Sequence, residues 1–139
     1  MIVEDDLCQS RLKQSDLMPT IVDQRIFLPT RDLAQSIDFY SRMGWKARFR
    51  DENLALMELG ASRVFLQKHY QKEWADNTMV HLVVDDAVLW HEVAARVKVE
   101  GGFEDVIIRA PQREDYGALV THVIDPAGVL LHFAQMDGR

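Results

Sequence analysis

The sequence predicts an α+β fold of tandem βαβββ modules, with strands forming a cupped, half-barrel mixed sheet and helices on its outer face. Three observations carry this expectation. Short runs alternate apolar and polar residues with a period of two, bounded by Gly, Asp, Asn and Pro. Two stretches switch to helical spacing instead. The order strand–helix–strand–strand–strand occurs twice with little residue identity between the halves, which marks a duplication of elements.

Residues 1–23 carry little periodicity and are expected to form an N-terminal extension, with Leu7, Leu12 and Leu17 offering an apolar edge. Residues 24–139 are expected to form one domain of two modules, 24–69 and 78–135. In the first module Arg25–Pro29 is a strand, and Thr30 is placed to cap a helix over Asp32–Met43, where Leu33, Ile37 and Tyr40 repeat at helical spacing. Gly44 ends that helix. Trp45–Asp51, Leu54–Leu59 and Ser62–Lys68 follow as strands, the last two joined at Gly60-Ala61. Tyr70–Asn77 links the modules. In the second, Met79–Val84 is a strand, and Asp86–Val97 is a helix with Val88, Leu89, Val93 and Val97 inward. After Gly101-Gly102 come a short strand Val106–Ile108, a polar loop Arg109–Gly117 suited to a lid, and strand Ala118–Ile124. The turn Asp125-Pro126-Ala127-Gly128 leads into Val129–Ala134.

Composition narrows the function classes. With 47% hydrophobic residues in 139, the chain can bury a sizeable core. Nowhere does a run approach the roughly 20 apolar residues that span a bilayer. The acidic start Met1–Asp6 lacks the pattern of a secretory signal, and Cys8 is the single cysteine, which excludes an internal disulfide framework. A cytoplasmic location is the expectation. The 16 Lys and Arg residues are scattered against 22 Asp and Glu, a net charge of −6, so nucleic acid is a poor partner.

Strand alternation separates two faces. One collects Ile26, Leu28, Val64, Leu66, Val80, Leu82, Val84, Val120, Ile124, Val129, Leu131 and Phe133, and is expected under the helices. The other collects Arg25, Phe27, Trp45, Phe49, Leu56, Glu58, Arg63, Phe65, Gln67, His81, Thr121 and His132. This mixture of rings, charges and hydrogen-bonding groups suits a concave cavity that stacks a planar ligand and fixes it with a few polar contacts. Tight turns set Glu58 opposite Arg63, Leu56 opposite Phe65, and Thr121 opposite His132. By the same counting Arg48 and His122 point toward the helices. Tyr116 joins the candidate site from the lid loop. His69 and His91 are expected at the surface, Tyr70 and Trp74 at the joint, and Trp90 in the core or at a subunit contact.

The stretch Leu28-Pro29-Thr30-Arg31-Asp32-Leu33, with Ser36-Ile37-Asp38-Phe39-Tyr40 and Gly44-Trp45, resembles the opening of vicinal-oxygen-chelate proteins, which include glyoxalases, extradiol dioxygenases and bleomycin-resistance proteins. Asp76-Asn77-Thr78-Met79-Val80-His81 and Ile124-Asp125-Pro126-Ala127-Gly128-Val129-Leu130-Leu131-His132-Phe133 are most similar to the bleomycin-resistance branch. The resemblance covers roughly Gln24 to Gln135. It implies four metal-ligand positions in the metalloenzymes, here Arg25, Phe65 or Gln67, His81 and His132. Only the two histidines ligate well, and a permanently cationic guanidinium repels an ion. The bleomycin-resistance branch uses no metal and no turnover, and its dimer sequesters a cationic drug between subunits. Two positions depart from that branch: His81 stands where a stacking Trp is usual, and Arg48 where an acidic residue is usual.

The function expected is therefore a metal-free homodimer that sequesters a planar or aromatic small molecule, without catalytic residues, cofactor or membrane contact. Its ligand-binding set is Arg25, Phe27, Trp45, Phe49, Glu58, Phe65, Gln67, His81, Tyr116, Thr121 and His132. The alternative is a lyase, isomerase or dioxygenase of the glyoxalase type that holds Zn, Ni, Mn or Fe through His81, His132 and Glu58. A metal-free isomerase or hydrolase with His81 as general base is a third option.

Overall fold

A computed structural model describes residues 17–138. Cys8, Leu7, Leu12 and most of the predicted extension lie outside the described residues. As the tandem modules predict, the chain builds two mixed sheets, and neither closes into a barrel. In the first half β1 (Ile26–Pro29) leads to helix α1 (Leu33–Met43) and then to β2 (Lys46–Arg50), β3 (Leu54–Leu59) and β4 (Ser62–Gln67). The sheet order is β1-β4-β3-β2, with β1 parallel to β4 and the other pairs antiparallel. A short helix α2 (Lys72–Asp76) occupies the predicted linker.

The second half repeats the plan with β5 (Met79–Val83), helix α3 (Ala87–Gly101), β6 (Ile107–Ile108), β7 (Gln112–Glu114), β8 (Ala118–Ile124) and β9 (Leu130–Met136). Here β5 is parallel to β9, β9 pairs with β8, and β6 and β7 both lie along the far side of β8. These last two are pieces of one interrupted strand: Arg109 still donates to the His122 carbonyl, after which Pro111, which has no N–H, breaks the ladder. The predicted lid is thus largely paired backbone. Arg113 further fastens it to Asp137.

Local chemistry sets the helix ends. Asp32, not Thr30, caps α1 by accepting from Gln35 N, while the Thr30 hydroxyl donates to the Gln67 carbonyl and ties β1 to β4. Gly44 closes α1 at a φ of 119°, which a side chain would strain. Asp86 caps α3 in the same way, through Leu89 N. The inward stripe of α3 is Ala87, Ala94 and Val97 with Trp90 partly buried, whereas Val88 and Leu89, expected inward, are half exposed. Positions 87, 90, 94 and 97 keep the helical period, so Val97 is inward as expected and Val93 is partly buried beside it, while Val88 and Leu89 fall outside the stripe.

The core lies between the sheets and the two long helices. A chain of rings runs through it from one half to the other: Phe103 on Phe39, Phe39 on Tyr40, Tyr40 on Trp45, Trp45 beside Trp90, and Trp90 stacked on Phe133 at 4.5 Å. A buried polar staple crosses the same boundary. The Tyr40 hydroxyl donates to Asp125 Oδ2 at 2.6 Å, and Asp125 Oδ1 accepts from the backbone N–H groups of Ala127, Gly128 and Val129. Arg31 adds a bond to the Pro126 carbonyl and lies over the Tyr70 ring.

Candidate functional site

On the first sheet, the face away from the helices carries an aromatic platform. Phe27 and Phe65 are direct partners across β1 and β4, and their rings stack at 4.9 Å. Phe27 remains 49% exposed, an unusual cost for a Phe unless something covers it. Leu56 pairs with Phe65, and Gln67 lies beyond it on β4. Phe49, opposite Leu56, is 50% exposed and extends the same surface.

Beside this platform lies a chain of ion pairs. Glu58 pairs with Arg63 as the hairpin predicts, at 2.8 Å, and also receives Arg48 Nε at 2.5 Å. Arg63 reaches on to Asp23 at 3.3 Å, and Asp23 accepts from Arg25 Nε at 2.8 Å. Hydrogen bonds from Arg25 and Arg48 hold the Asp23 and Glu58 carboxyls below their ordinary pKa range. Both carboxylates are thus fully charged near neutrality.

Arg48 is here by a correction to the expected alternation. The register shifts between Ala47 and Phe49, so Arg48 is the extra residue of a β-bulge and reaches the open face rather than the helices. The same bulge moves Trp45 the other way. Trp45, expected in the pocket with Phe49, is only 4% exposed, packs against Tyr40 and Trp90, and donates to the Ser62 hydroxyl.

On the second sheet the open face carries a row of three imidazoles. His81 lies opposite His132 across β5 and β9, with ring centres 5.6 Å apart. His132 lies opposite His122 across β9 and β8, at 4.7 Å. The sequence missed His122 and chose Thr121 because it placed Thr121 opposite His132. The connecting loop is one residue longer, so Thr121 pairs with Phe133 and every β8 side chain changes face. Thr121 is buried on the helix side and donates to the Ala87 carbonyl, while Val120 and Ile124 share the open face with His122.

The Tyr116 ring, half exposed, stands 6.0 Å from His81 at the edge of this row. Burial, and then the nearby His122 and His81, hold the His132 pKa below its ordinary value, against the opposing pull of Glu114. His122 Nδ1 is buried without a partner among the described residues.

A cleft of about 870 Å³ opens between the two sheets, lined by Asp23, Ser62 and Arg63 on one side and Met79, His81 and Val83 on the other. Trp45 and Trp90 form part of its inner wall. His81, on the edge strand β5, therefore borders the cleft, while Phe27, Phe49, Phe65, Gln67, Tyr116 and His132 lie on the open faces beyond its lining. The alternative metal set is not assembled. Glu58 is committed to two guanidiniums, the three imidazoles form a row, and no group of three His, Cys, Asp or Glu among the described residues is placed to hold an ion. No helix among the described residues is long and apolar enough to cross a membrane.

The comparisons with known proteins agree with this architecture. The family model of the Glyoxalase/Bleomycin resistance protein/Dioxygenase superfamily matches residues 24–133. None of the curated proteins compared matches the chain. Among solved structures, the bleomycin-binding protein from the bleomycin-producing Streptomyces verticillus, complexed with copper(II)-bleomycin, is similar at a TM-score of 0.72 and 23% identity, covering 86% of this chain and 100% of that one. A bleomycin resistance determinant encoded on the transposon Tn5 is similar at 0.67 and 23% identity, covering 84% and 99%. A glyoxalase/bleomycin resistance protein/dioxygenase from Nocardioides is similar at 0.65 and 15% identity, covering 98% and 95%. With this fold, this strand order and a family match over most of its length, the chain belongs to the glyoxalase/bleomycin resistance protein/dioxygenase superfamily.

Proposed function

We propose that this chain binds and sequesters a planar or aromatic small molecule without turning it over, and that it does so as a homodimer. The observation that carries the proposal is the half-exposed Phe27 ring stacked on Phe65, with charged and hydrogen-bonding groups at its border. Such a surface leaves ring faces in water unless a flat partner covers them. The similarity to bleomycin-binding proteins supports small-molecule binding as the use of this face. The exposed Met79 and Val83 on β5 support a second subunit closing the cleft.

The test uses 8-anilinonaphthalene-1-sulfonate in equilibrium dialysis, with sedimentation to report the oligomeric state. The expected result is reversible binding by a dimer, weakened at least about fivefold by Phe27→Ala, with the compound recovered unaltered; stacking contacts of about 1 kcal/mol set this scale. Equal binding by Phe27→Ala, no binding, or recovery of a chemically changed compound from a panel of planar substrates overturns the proposal.

A further inference from the structure

We infer that the ligand is a planar acid, whose ring covers Phe27 and Phe65 while its anionic oxygens meet the guanidiniums of Arg48 and Arg25. The inference rests on the proposed binding function and adds the charge of the compound bound.

The charge balance of the open face favours an anion, although the chain as a whole is acidic. Three guanidiniums share two carboxylates there, which leaves one positive charge over. Lys46, exposed and opposite Glu58 in the register, adds another. The layering matters more than the count. The Glu58 and Asp23 side chains are 21% and 28% exposed, whereas those of Arg48 and Arg25 are 60% and 45% exposed. An approaching molecule therefore meets cations first, with the carboxylates beneath them already neutralised.

Donor capacity points the same way. Arg25 and Arg48 each hydrogen-bond their carboxylate through Nε alone, so among the described residues their terminal amino groups donate to nothing. Those groups form a planar fork suited to carboxylate, sulfonate or phosphate oxygens. The strand geometry sets them at the right place. Arg25 immediately precedes β1, two residues before Phe27, and Arg48 adjoins Phe49 at the bulge, so the cations border the aromatic surface instead of interrupting it. A flat cation would instead approach two exposed guanidiniums, with no uncommitted carboxylate in this chain of ion pairs to receive it.

The experiment compares 1-naphthoate with 1-naphthylmethylammonium, which share a ring and differ in charge, by equilibrium dialysis against the full chain. Naphthoate is expected to bind roughly tenfold tighter, and to weaken as NaCl rises. The double variant Arg25→Met and Arg48→Met should remove that preference, with circular dichroism reporting that the fold is intact. Glu58→Gln should tighten naphthoate, because it removes a negative charge without removing a donor; a merely structural ion pair would give the opposite result. Equal or tighter binding of the ammonium compound, lost in Phe27→Ala, overturns the acid preference and leaves the platform standing. Failure of both compounds and of anilinonaphthalene sulfonate overturns the binding function as well.

Discussion

Tyr40→Phe removes one oxygen from the staple between the two halves and keeps the ring that packs on Phe39 and Trp45. The variant leaves Asp125, only 1% exposed, with three backbone N–H groups on Oδ1 and no donor on Oδ2. A hydrogen bond to a charged group contributes about 1.5–3 kcal/mol, and that is the expected loss near pH 7. The loss should shrink with acidity. Burial raises the Asp125 pKa, against the opposing pull of its hydrogen bonds from Tyr40 and from the backbone. A carboxyl raised in the folded state favours folding below its ordinary pKa, and that contribution disappears as pH rises through the folded value. At pH 4 the group is partly neutral and the missing bond is worth nearer about 1 kcal/mol. Urea titration at pH 7 and pH 4, followed by fluorescence of the buried Trp45, measures both figures. A loss below about 0.5 kcal/mol at pH 7, or one that grows on acidification, refutes the reasoning.

Three further outcomes follow from the described geometry. The depressed His132 pKa means the unfolded chain binds its proton more readily, so stability held above about pH 6.5 should fall as pH drops through the folded value; urea midpoints at pH 7 and 5.5 should converge in His132→Leu. Gly128→Ala should cost about 1 kcal/mol or more by thermal melting, because φ is 105° and the new Cβ would meet Asp76 Oδ1 at 3.1 Å. Thr121→Val should cost about 1 kcal/mol through the lost bond to the Ala87 carbonyl while leaving ligand affinity unchanged; a specific loss of affinity would return Thr121 to the site.

Elements were legible in the sequence wherever a local rule decided them. The hairpin at Gly60-Ala61 fixes its own register, so the pairs Glu58 with Arg63 and Leu56 with Phe65 could be counted directly. Counting failed where one residue was extra. The bulge at Arg48 exchanged the places of Arg48 and Trp45, and the longer loop before Leu130 exchanged Thr121 and His122. Neither carries a residue signature, since Ala47-Arg48-Phe49 reads as regular alternation and Asp125–Gly128 reads as a four-residue turn. The platform of Phe27 and Phe65 was accessible because both strands are short and regular. Asp23 was not, because its role depends on Arg63, forty residues away, and no pattern in the extension announces it.

A duplicated chain invites the thought of cutting it in two. The hydroxyl of Tyr40 and the acid it meets belong to different repeats, as do Arg31 and the carbonyl of Pro126. Severed at the joint, one piece would carry a turn built around an uncapped charge and the other a ring with nowhere to donate. Melting should therefore proceed as one step for the pair, and engineers seeking a minimal version would do better to relocate the termini than to discard a repeat.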